Sequence, residues 1–84
     1  MILNDFLTPA DNRTNFNVYA TNPFATQTNR KTVLVKNKKR WEIKGDILEY
    51  VVSSYQPYDF SMDIWVYNLN DYEKFKNEWE HGVR

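Results

Sequence analysis

The 84-residue sequence predicts an α+β domain, a mostly antiparallel sheet of four or five strands with a C-terminal helix packed on one face. Three observations predict it. The stretches "EYVVSSYQ" (49–56) and "FSMDIWVY" (60–67) are rich in β-branched and aromatic residues and flank Pro57-Tyr58-Asp59, which reads as a hairpin. Two shorter stretches, "NFNVYA" (15–20) and "KTVLVK" (31–36), carry the same strand signals. The final segment, "NDYEKFKNEWEHG", instead spaces Tyr72, Phe75 and Trp79 at i, i+3 and i+7, one stripe of a helix.

Taken in order, "LNDFL" (3–7) predicts one short helical turn, ended by Thr8-Pro9. In the first strand Phe16, Val18 and Ala20 share a face. The polar stretch 21–30, "TNPFATQTNR", reads as a loop. After the second strand, Asn37-Lys38-Lys39 is expected to turn, "RWEI" to continue a hairpin arm, and Gly45-Asp46 to break it. Pairing the third and fourth strands about Pro57 sets Val52 against Ile64, Ser54 against Met62 and Tyr50 against Val66. One face then carries Tyr50, Val52, Phe60, Met62, Ile64 and Val66 and is expected to lie inward, beneath the terminal helix. The other carries Val51, Tyr55, Trp65 and Tyr67 and is either available to a partner or covered by the N-terminal segment with Phe6 and Leu7. The helix spans about 70 to 81, with Asn70 and Glu73 as a capping box and His81 and Gly82 at its end. The chain has no repeat and no linker, so residues 1–84 form one small domain.

Composition limits the chemistry. Cysteine is absent, so no disulfide, thiolate or cysteine metal site is available, and stability rests on packing. An aromatic content of 17% supplies the burial that so short a chain needs. There is one histidine and no Gly-rich phosphate loop, so no enzymatic activity, cofactor or metal is expected. His81 reads as a helix-end residue. Asp59 and Asp63, at even spacing, read as the polar face of a strand rather than an acid–base pair, and with Glu49 they lack the concavity that a metal site requires. The N-terminus lacks the basic start and apolar run of a signal peptide, and no stretch reaches membrane-spanning length. The triplet Asn12-Arg13-Thr14 is therefore read as chance, and a cytoplasmic location is expected.

Net charge is zero, but charge is unevenly placed. Residues 30–44 carry seven basic groups (Arg30, Lys31, Lys36, Lys38, Lys39, Arg40 and Lys44) against Glu42 alone, giving +6. Residues 46–80 carry eight acids against Lys74 and Lys76, giving −6. Two classes of partner follow. The leading expectation is a protein, met through Trp65, Tyr67, Val51 and Tyr55 or through Trp41 and Tyr58, since Trp and Tyr dominate interface energetics. The alternative is nucleic acid, with Lys36, Lys38, Lys39, Arg40 and Lys44 on phosphates and Trp41 stacking on a base. A sequence pI near 6.6 weighs against that alternative. A third reading makes Asp59, Asp63, Glu73 and Glu80 phosphate mimics that inhibit a host nucleic-acid enzyme; an overall neutral chain fits it poorly. Exposed strand edges and the charge dipole also permit a symmetric homodimer.

Asn, Lys, Ile, Phe and Tyr make up 32 residues and Gly, Ala, Arg and Pro only 12, a bias that points to an AT-rich genome. The opening M-x-L-x-D-F-L, the basic second strand, the hairpin "EYVVSSYQPYDFSMDIWVY" and the short final helix resemble small uncharacterised accessory proteins of phages and prophages of low-GC Gram-positive bacteria. That resemblance spans most of the chain as a pattern. It implies a mobile-element protein in a bacterial host cell and transfers no active site.

Overall fold

A computed structural model describes residues 1–10, 13–24 and 32–80. A helix α1 (Leu3–Leu7) leads into strand β1 (Asn15–Ala20) and then β2 (Val33–Lys39). Two 3-10 turns, Arg40–Glu42 and Asp46–Glu49, connect β2 to β3 (Val51–Pro57). A hairpin joins β3 to β4 (Ser61–Tyr67), and a third 3-10 turn, Leu69–Asp71, opens the C-terminal helix α2 (Tyr72–Glu80). The α+β class, the four strands and the terminal helix are as expected.

The sheet order is β2-β1-β4-β3. β1 pairs antiparallel with β2 and parallel with β4, and β3 pairs antiparallel with β4. The two central strands hold all the fully buried strand residues, as strands paired on both sides should. β2 is mostly exposed at one edge, in keeping with its lysines; β3 forms the other.

Ile64 and Val66 are fully buried on the inner face, as expected, and Phe16 and Val18 of β1 are buried beside them. What covers them is not the terminal helix. Leu3 and Leu7 of α1, together with Ile43, Ile47 and Leu48 of the β2–β3 connection, complete that core. Burying these side chains contributes roughly 1.5–3 kcal/mol each. The short helix α1 is fixed from both ends. Leu3 N–H donates to the Tyr50 carbonyl (2.8 Å), and the Thr8 hydroxyl donates to the Asn4 carbonyl (2.8 Å). Arg40 Nε donates to the Leu7 carbonyl (3.0 Å), satisfying one of the groups a helix end leaves unpaired.

Four local expectations are corrected. Asn37-Lys38-Lys39 does not turn; it continues β2, with a register irregularity between the partners of Phe16 and Val18 and Asn37 at φ 55°. "RWE" is a 3-10 turn rather than a hairpin arm, closed by Glu42, whose carboxylate accepts the Lys39 N–H at 2.9 Å. The hairpin pairs Val52 with Val66, Tyr55 with Ile64 and Pro57 with Met62, and a bulge between Val52 and Ser54 turns Tyr55 to the inner face. Phe60, expected inside, lies in the hairpin connection and is 71% exposed.

α2 lies on the opposite side from the one expected. Asn68, rather than Asn70, caps the turn ahead of it by accepting the Asn70 N–H at 2.9 Å. Tyr72 meets Tyr67 of the outer face (ring centroids 6.0 Å) and Phe24 (5.3 Å), and Trp79 meets Phe24 (6.3 Å). The Asn22 side chain holds Phe24 in place by accepting its N–H at 2.9 Å. No residue of α2 is fully buried, so its stripe is only half covered. The expected helix end at His81 and Gly82, part of the 21–30 loop, Arg30, Lys31 and Asn12 of the triplet lie outside the described residues.

Candidate interaction surface

Register places the functional candidates on the two faces and two ends of the sheet. On the outer face, Trp65 stacks on Tyr19 with ring centroids 5.5 Å apart. Trp65 is only 5% exposed, which overturns its expected place as an exposed anchor. Tyr67 is half-buried against Tyr72. Val51 is half-buried and bridged to Ile2, so the N-terminus covers this end of β3. Tyr55 is exposed, but the bulge has moved it to the inner side, where its ring lies 5.1 Å from that of Phe6. The four residues expected to form one patch are therefore divided between the faces.

A chain of polar groups lies beside Trp65 on the outer face. Asn37 N–H donates to Asn17 Oδ1 (2.8 Å), and Asn17 Nδ2 donates to Asp63 Oδ1 (3.1 Å). Asp63 is buried, while Asp59 sits exposed in the hairpin connection, so the two aspartates do not form a pair. Among the described residues no cluster of three or more acidic or histidine side chains could hold a metal ion. A groove of about 690 Å³ runs between α1 and β3 and is lined by Met1, Phe6, Pro9, Val52 and Tyr55, with Asp5 as its one acidic residue. Neither Asp59 nor Asp63 lines it. No helix among the described residues is long and apolar enough to cross a membrane.

Three of the exposed aromatic side chains, Trp41, Tyr58 and Phe60, lie at one end of the sheet. β1 and β4 begin together there, with Asn15 beside Ser61, and β2 ends there, with Lys39 beside Asn15. Neighbouring strands lie about 4.8 Å apart, so Lys39 and Ser61 are separated by about 10 Å. Trp41, two residues past Lys39, is 62% exposed; Tyr58 and Phe60, at the hairpin, are 51% and 71% exposed. Phe60 was missed by the sequence pattern because the alternation of β4 extends one residue too far when no register is known.

The basic residues of this end divide in two. Lys39 Nζ donates to the Arg13 carbonyl at 3.0 Å, and Arg40 is held on Leu7, so both are tied to backbone. Lys36, Lys38 and Lys44 are exposed. β4 runs away from this end, so the acidic helix that follows it lies at the other. Lys38, Lys39 and Arg40 therefore lie at one end of the sheet and helix α2 at the other. No family model matches the chain, and neither the curated proteins nor the solved structures contain a match to it.

Proposed function

We propose that the protein is a non-enzymatic interaction module that binds a protein partner through the basic, aromatic end of its sheet. The observation that carries this reading is the exposure of Trp41, Tyr58 and Phe60 together at the end where β2 stops and β4 starts. Large aromatic side chains left in water at one place are the residues that anchor protein interfaces, and a rim of lysines would select an acidic surface around the contact. The site differs from the one expected on the Trp65 face, since Trp65 is committed to the interior. Trp41 and Tyr58 carry over. Assignment to the accessory proteins of phages and mobile elements is part of the proposal and rests on the sequence resemblance.

Nucleic acid is the second reading, and the hydrogen bonds weigh against it. Of its five basic residues, Lys39 and Arg40 are bonded to backbone carbonyls, and Glu42 and Asp59 lie at the same end. Three exposed lysines make a weak phosphate grip. A pull-down from a lysate of the source cell tests the proposal. The wild-type chain should retain a protein that the double variant Trp41→Ala/Phe60→Ala, still folded by circular dichroism, does not. Equal recovery by both chains would overturn it.

A further inference from the structure

We infer that a second copy of this chain occupies that surface, docking its C-terminal helix on the basic end of β2. The inference rests on the reading of that end as a contact surface and names its partner. Helix α2 presents Glu73, Asn77 and Glu80 at i, i+4 and i+7, all exposed, as a stripe with two acids, with Lys76 beside it. Trp79, 48% exposed, and Leu69, 62% exposed, flank the stripe with apolar surface that the fold leaves uncovered. At the other end Lys38 and Lys44, both exposed, flank exposed Trp41. Acids with aromatic and aliphatic surface on one element thus face bases with an aromatic ring on another.

Within one molecule the two cannot meet. The strand that leads into α2 runs parallel to β1, and β2 runs antiparallel to β1, so α2 and Trp41 leave the sheet at opposite ends. None of Lys38, Lys44, Glu73 and Glu80 forms an ion pair among the described residues. Each copy carries one surface of each kind. Two copies set antiparallel make both contacts at once and close the pair, which is the symmetry most homo-oligomers adopt. The edge of β2 is not the route, since lysines at 36, 38 and 39 would face themselves across a twofold axis.

Sedimentation velocity on the full chain tests this. At low salt the wild type should sediment as a dimer and dissociate as salt is raised, because the Debye length falls from about 10 Å at 0.1 M to about 3 Å at 1 M. Lys38→Glu/Lys44→Glu should be monomeric at low salt, and so should Glu73→Lys/Glu80→Lys. The four side chains are exposed, so both variants should keep the wild-type circular dichroism spectrum. An equimolar mixture of the two variants should restore a dimer, because both reciprocal contacts join opposite charges in the mixed pair. A wild type that is monomeric at low salt, a dimer indifferent to both reversals, or a mixture that stays monomeric would overturn the inference. If the wild type is monomeric while Trp41→Ala/Phe60→Ala still loses a protein from the pull-down, the inference fails and the interaction surface stands.

Discussion

Asn37 is the one non-glycine residue among those described with a positive φ, 55°, and its side-chain type is among the few that tolerate the left-handed region. Its N–H, turned by that conformation, reaches Asn17 and through it the buried Asp63. Asn37→Gly should keep this geometry and leave the urea midpoint nearly unchanged. Asn37→Val should lower stability by about 1–2 kcal/mol, because a β-branched residue resists that backbone. Ser54 presents the opposite case. Its Oγ is buried with no hydrogen-bond partner, where the bulge turns Ser54 to pair with Trp65. Ser54→Ala removes an unsatisfied hydroxyl and should raise stability by about 1 kcal/mol, read as a higher urea midpoint at constant slope.

At the scale of elements, the two strands that pair in parallel carry most of the burial. Trp65 in β4 and Trp41 in the turn after β2 are chemically identical and differ only in where the fold places them. Trp65→Ala should cost about 3–5 kcal/mol through the lost stacking with Tyr19 and the cavity it leaves. Trp41→Ala should stay within about 0.5 kcal/mol of wild type. Chemical denaturation of both variants checks the contrast, and a large loss at Trp41 would mean that it is core rather than surface. Much of this level was legible in advance. "LNDFL" and "NFNVYA" have the bounds their patterns predict, since Pro9 stops the helix and alternation marks the strand. The hairpin register was not legible, because one extra residue at the bulge reverses the facing of Tyr55 while leaving the sequence pattern intact. The packing side of α2 was not legible either. Its stripe fits any apolar surface, and Leu3, Leu7 and Ile43 had already taken the inner one.

For the molecule as a whole, charge separation decides what kind of partner is favoured. With three exposed lysines free of backbone contacts, binding to single-stranded oligonucleotide should show a log–log salt slope of only about −2. Fluorescence anisotropy across a salt series measures it, and a slope near −4 with tight binding at moderate salt would show that Lys39 and Arg40 also engage phosphates.

The sequence by itself determined the α+β class, the four strands, the absence of cysteine chemistry and the uneven charge. Each is a local or additive property: periodicity, residue type and count suffice for it. Only the tertiary structure decided that Trp65 is buried and Phe60 exposed, that α1 rather than α2 covers Ile64, and that Trp41 and helix α2 leave the sheet at opposite ends. These depend on strand order, a bulge and the competition between elements for one apolar face, and such choices are settled by long-range packing.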